Sequence, residues 1–276
     1  MSITSDIGIM QGRLSPKIDG KIQAFPISNW ENEFKIAQEI GFHSIEWIVE
    51  TPLNTNPLLS ETGINQIKKI TTATNVKIEF ICADIFMQEP ILNEPDSLNK
   101  SASLIKQLII NGHKIGAKCV EIPFVDNSSL RHKDYDYLIN FFNSFKDILI
   151  EKGFKISLET DLEPEIFQYF LSNLNSNIGA NYDIGNSASL GYDFEEELNF
   201  YGDRIFNLHI KDRKLGGTTV TFGTGNANIE GVLSKLSEMN YANGIIIQGA
   251  RGENDLFTPT SQLEYSKKII NTLNYV

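Results

Sequence analysis

Four polar side chains each close a short apolar run. Glu159 ends KISLE, Asp183 ends IGANYD, His209 follows IFNL, and Gln248 ends GIIIQ. Two carboxylates, an imidazole and an amide offer three oxygen donors and one nitrogen. That set suits a divalent cation of the Mg2+, Mn2+, Co2+ or Zn2+ kind. Each residue also has a plainer reading. A glutamate at a strand end is costly to bury alone and can be balanced by a salt bridge across a rim. A single strand-end histidine is more often structural than a ligand, and Gln248 could equally hydrogen-bond a substrate. The ordered recurrence of the four is what favours one shared site.

For these side chains to meet, the runs that carry them must point the same way. Eight βα units run along the chain. The strands are expected at 7–10, 44–48, 76–82, 119–124, 155–159, 178–183, 205–210 and 244–248. Between them lie stretches with apolar residues at helical spacing. The clearest carries Leu138, Phe141, Phe142, Phe145, Ile148 and Leu149 on one face and stops at Gly153. Another follows Pro164, a residue suited to a first helical turn, and a short one spans about 193–201. Strict β/α alternation predicts a parallel sheet. Eight units in 276 residues predict a single (β/α)8 TIM barrel, one domain over 1–276, since that fold takes about 250 residues. No Gly-x-Gly-x-x-Gly follows the first strand, which argues against a dinucleotide-binding sheet. Three long linkers, 11–28, 84–97 and 211–226, follow strand C-termini, where barrel enzymes build their sites.

The formal charge is -11, and no Lys/Arg run makes a local basic patch. Nucleic acid and anionic lipid are therefore poor partners. No segment reaches the roughly 18 apolar residues of a membrane span, and no signal peptide is recognisable, so a soluble cytoplasmic protein is expected. Cys82 and Cys119 sit in expected strands and read as small buried hydrophobes.

More polar groups stand near the same strand ends. Glu46 and Asp84 are candidates to touch substrate, whereas Glu121, between Val120 and Ile122, reads better as rim charge. Asn186, three residues beyond Asp183, can turn back to the mouth. Arg13, Lys211, Arg213 and Arg251 either grip a phosphate or carboxylate of the substrate or neutralise the acidic cluster; both readings stand. The glycine-rich run 216–233 leads into a helix whose first amides could bind an anion.

Together the runs IMQGRLSP, LETDL, NYDIGNSASLGYD, LHIKDR and FGTGNANI, in that order, resemble the xylose isomerase-like barrel superfamily of sugar (phosphate) isomerases and epimerases. The resemblance spans essentially the whole chain. It implies a metal held by Glu159, Asp183 and His209, with the fourth position at Gln248, where the commonest pattern has glutamate. Asn186 stands where many relatives have histidine. It also implies a carbohydrate substrate, and pairing of like barrels through the mouth is common among such relatives.

A neutral amide at position 248 lowers the ligand charge to −2, which should weaken metal binding. It also removes a proton acceptor, since an amide is no base at neutral pH. Two-base epimerisation suffers more from that loss than aldose–ketose isomerisation, which needs one base. The expected chemistry is proton transfer on a polyhydroxy carbonyl compound through an enediolate. Glu159 is the base, and a second acid or base would come from Lys211, Asp212, Glu46 or Asp84. An epimerase or dehydratase of the same superfamily and a non-catalytic sugar-binding barrel are the alternatives. An abasic-site endonuclease of this superfamily would need many histidines, and the chain has four.

Overall fold

The computed structural model describes residues 3–252 and 257–274. Eight parallel strands close into a barrel in sequence order. They are β1 (Ile7–Met10), β2 (Ser44–Ile48), β3 (Phe80–Cys82), β4 (Cys119–Phe124), β5 (Lys155–Thr160), β6 (Ile178–Asp183), β7 (Ile205–Ile210) and β8 (Gly244–Ile247). The helices that cover them are α1 (Trp30–Ile40), α2 (Glu61–Thr74), α3 (Ile85–Gln88), α4 (Pro95–Ile115), α5 (Asp136–Asn143), α6 (Lys146–Lys152), α7 (Pro164–Ser172), α8 (Ile184–Leu190), α9 (Phe194–Tyr201), α10 (Ile229–Glu238) and α11 (Phe257–Asn274). Among the described residues no helix is long and apolar enough to cross a membrane.

The helices lie where apolar spacing predicts them, because one face of each packs on the outer side of the barrel. Trp30, Phe34 and Ala37 of α1 are buried, and Trp30 stacks edge-on against Trp47 of β2 at 5.4 Å. Several details differ from the sequence reading, among them the short helix α3 inside the expected linker 84–97. The stripe from Leu138 to Leu149 is broken into α5 and α6, and at the break Ser144 turns its hydroxyl back onto the Phe141 carbonyl. Strand β3 is shorter than 76–82; below Phe80 the chain makes a single bridge, Lys77 to Ser44. Helix α8 was not foreseen. Its sequence IGNSASL is poor in helix formers, yet Asp183 accepts the Asn186 amide and caps it.

Barrels of this kind usually fill their interior with branched apolar side chains. Here the layer toward the strand C-termini is polar instead. Glu46, Glu121, Ser157, Glu159, Asn181, Asp183, Asn207 and His209 are all buried. The layer beneath is apolar at its centre. The Phe80 ring lies against Gly244 of β8, where a Cβ would meet the ring at 2.2 Å. Register fixes the heights: Pro123 pairs with Glu159, and Asp183 with His209.

Candidate active site

His209 is the centre of the polar layer and is fully buried. Its Nε2 lies 2.7 Å from Glu46 Oε2, and Asn207 donates to the other oxygen of Glu46 at 2.9 Å. The carboxylate favours a proton on Nε2, which in the neutral ring leaves the lone pair on Nδ1. Nδ1 faces Asn181 Nδ2 at 3.2 Å, and Asn181 Nδ2 also reaches Glu159 Oε2 at 3.4 Å. Burial alone would lower the imidazole's pKa, but Glu46, with Glu159 and Asp183 beyond it, holds it above its ordinary value. Glu46, expected to touch substrate, therefore stands behind the histidine and orients it.

Glu159 lies at the end of β5 and faces a cavity of about 590 Å³ at the barrel mouth. Asn186 donates a short hydrogen bond to its Oε1, and Arg213 donates to Asn186 Oδ1 at 2.7 Å. The guanidinium is held in turn by the Gly217 carbonyl, at 3.1 and 2.7 Å. A relay thus runs from Arg213 through Asn186 to the carboxylate. Both residues also line the cavity.

Asp183 divides its oxygens. One caps α8 through the Asn186 amide at 2.8 Å. The other accepts from Lys211 Nζ at 3.1 Å. The same ammonium donates to Gln248 Oε1 at 2.8 Å. Donor atoms of Glu159, Asp183 and His209 lie within 4.8 Å of one another. Two carboxylate oxygens and a neutral imidazole nitrogen at that spacing fit a divalent cation. The amide oxygen of Gln248, expected as the fourth donor, is turned to Lys211.

The remaining expected residues divide into two groups. Asp84 lines the cavity, where burial pushes its carboxyl up to about 6 against hydrogen bonds from Gln23 and Cys82. Glu121 is not rim charge. It points into the barrel, 3.5 Å from His209 Nε2, and burial, with Glu159 and Glu46 nearby, raises it well above the usual carboxylate range. The alternation of β4 left both faces open, and contact with the histidine decides between them.

Asp212, Arg13 and Arg251 do not join the cavity. Asp212 is fully buried and accepts the amides of Gly225 at 2.9 Å and Ala227 at 3.1 Å. The anion that the glycine-rich run binds is thus the protein's own carboxylate, and a Cβ at Gly225 would meet it at 1.9 Å. Arg13 donates to the carbonyls of Ile22 and Gly249 and to Gln23; burial lowers it to about 10. Arg251 donates to the Ser15 carbonyl.

Sequence reasoning passed over Asn181 and Asn207, whose places inside strands mark them as inward only once the register is known. It also passed over Gln23, in an irregular loop, and over Glu33. The last is buried in α1 and accepts the Gly12 and Leu14 amides, each at 3.0 Å.

A family model described as xylose isomerase-like TIM barrel matches residues 34–269. Among solved structures, a D-tagatose 3-epimerase-like protein is 18% identical, with 97% of this chain and 98% of that one covered and a TM-score of 0.71. The zinc-bound IOLI protein is 17% identical, covers 97% of each chain and gives 0.74. The 3-keto-D-glucoside 4-epimerase YcjR from E. coli is 15% identical, with 98% and 99% covered and 0.70. No curated protein sequence matches the chain significantly.

Proposed function

The chain belongs to the xylose isomerase-like TIM barrel family, and from that premise we propose that it is a divalent-metal-dependent isomerase of an uncharged sugar or related polyhydroxy carbonyl compound. The observation that carries this reading is that ligand atoms of Glu159, Asp183 and His209 lie within 4.8 Å of one another, with Glu159 also lining the mouth cavity. Names of structural neighbours, D-tagatose 3-epimerase-like protein and 3-keto-D-glucoside 4-epimerase, support carbohydrate as the substrate class. The zinc in the IOLI structure supports a metal in this kind of barrel.

A divalent ion held by Glu159, Asp183 and His209 would supply positive charge beside a substrate carbonyl. The protein's own groups carry the proton. Glu159 takes it from the carbon next to the carbonyl and returns it to the former carbonyl carbon, while the proton of the neighbouring hydroxyl passes to the former carbonyl oxygen, so one base serves both carbon centres. Asn186 and Arg213 fix the plane of that carboxylate. Lys211, with its ammonium near the same point, stabilises the negative charge that gathers on oxygen in the enediolate. Glu46 holds the His209 tautomer, and Asp212 pins the loop over the mouth.

An uncharged substrate follows from the charge around the cavity. Glu50, Asp84, Glu121, Asp126, Glu159 and Asp161 line it against Lys21, Lys211 and Arg213. Arg213 is committed to Asn186 and Gly217, and Arg13 and Arg251 donate to main-chain carbonyls elsewhere. A phosphate would enter a cavity lined by six acidic side chains against three basic ones, with no arginine fork among the described residues to receive it. The test is a screen of ketoses, aldoses and their phosphates with Mn2+, following solvent deuterium into the product. Deuterium at one carbon, for free sugars and with Glu159 intact, is the expected result. Turnover of phosphorylated sugars alone, or full turnover in Glu159→Gln, would overturn the assignment.

A further inference from the structure

We infer that Gln248 is the seat of Lys211 rather than a metal ligand, so that the lysine's ammonium closes the fourth side of the cation site and keeps divalent-ion binding weak and exchangeable. The inference rests on the metal reading given above. It begins with the orientation of one amide. Gln23 donates to Asp84 Oδ2 at 2.6 Å, a contact that turns the Gln23 oxygen the other way. That oxygen accepts from Gln248 Nε2 at 3.2 Å. The Gln248 oxygen must then face away from Gln23, and it accepts from Lys211 at 2.8 Å. The donors run in one direction along Lys211, Gln248, Gln23 and Asp84. A carboxylate at position 248 would set oxygen against the Gln23 oxygen, so the loop residue and the strand residue suit each other only when the latter is an amide.

The lysine is held from below as well. Gly185 of α8 lies against its stem, and a Cβ there would meet the Lys211 side chain at 2.8 Å. The ammonium is therefore seated with Asp183 Oδ2 on one side and Gln248 on the other. Asp183 Oδ1 is already committed to the Asn186 amide. An incoming divalent ion must share Oδ2 with a fixed positive charge, and like charges at such separations repel strongly where water is scarce. Glu159 and Asp183 supply charge −2 for the ion, but the lysine cancels part of it. The sequence departure at 248 and the lysine two residues after His209 thus form one device.

Isothermal titration of the folded protein with Mn2+ tests this without reference to turnover. Lys211→Met is expected to bind Mn2+ at least about tenfold more tightly than the unmodified chain, and Lys211→Gln to tighten in the same direction. Gln248→Ala should bind no more weakly than the unmodified chain, since it removes the lysine's seat and no ligand. A tenfold loss in Gln248→Ala would make the glutamine a ligand and overturn the proposal. Unchanged or weaker binding in both lysine variants, with thermal melts showing them folded, would overturn it too. Those outcomes leave the metal reading standing. Failure of every variant, Gln248→Glu included, to take up Mn2+ would bring down the metal reading and the proposal together.

Discussion

Two corners of the barrel mouth bury charge in opposite ways. Around the β1 loop, Glu33 spends each oxygen on a main-chain amide and Arg13 spends its donors on main-chain carbonyls and Gln23. Both side chains there are bonded by the chain itself. Within the polar layer, Glu46 of β2 and Glu121 of β4 join Glu159 and Asp183 around one imidazole and one ammonium. Glu121 Oε2 has no hydrogen-bond partner though it is buried. That region has an acidic oxygen that its own donors leave unpartnered, and it opens to a cavity. Burial and charge alone do not separate a structural residue from a functional one. Whether its polar atoms are already satisfied does so.

The sharpest way to break this comparison is Glu159→Gln. If the open corner does the chemistry, kcat falls about 10²–10⁴-fold while the melting temperature barely moves; substrate turnover and a thermal melt read both. Arg13→Met makes the complementary change in the closed corner. It leaves buried carbonyls without donors and should cost about 3 kcal/mol of stability in urea titration, with activity per folded molecule within tenfold. Glu33 sharpens the same corner through pH. Burial raises its carboxyl to about 7 in the folded chain, above its unfolded value. The folded state then holds the proton more tightly. The stability it lends is present below about pH 4.5 and is lost as pH rises through 7, by roughly 3 kcal/mol. Glu33→Gln should flatten that slope in urea midpoints measured from pH 4.5 to 7.5. The smallest effect belongs to Glu46→Gln, which touches no cavity but loosens the His209 tautomer. Mn2+ affinity by calorimetry should drop about 10–100-fold, and an unchanged affinity would remove the orienting role.

The barrel was legible because each βα unit repeats the same two signals, an apolar run and an apolar stripe. Glu159, Asp183 and His209 were legible because parallel strands must deliver their ends to one face. What sequence could not give was the partner of each polar atom. Asp212 and Lys211 stand one residue apart, equally polar, yet one turns to the Gly225 and Ala227 amides and the other to Asp183. Alternation along β7 decides this, and it is fixed only once His209 is known to point inward. Gln23 had no signal at all, since an irregular loop carries no period, and its role exists only through contacts with Asp84 and Gln248. Helix α8 was hidden for a related reason: its stability comes from a cap at Asp183 rather than from the propensity of its own residues.

The pairing of Phe80 with Gly244 makes the barrel a vessel with one opening. A phenyl ring from β3 reaches across the barrel to β8 because that strand carries no side chain at the point of contact. Beneath it lies a separate cavity of about 290 Å³ at the other end of the strands. Any small molecule that reaches the polar layer must therefore enter and leave by the same door. Whatever sits in the mouth corks the layer below it.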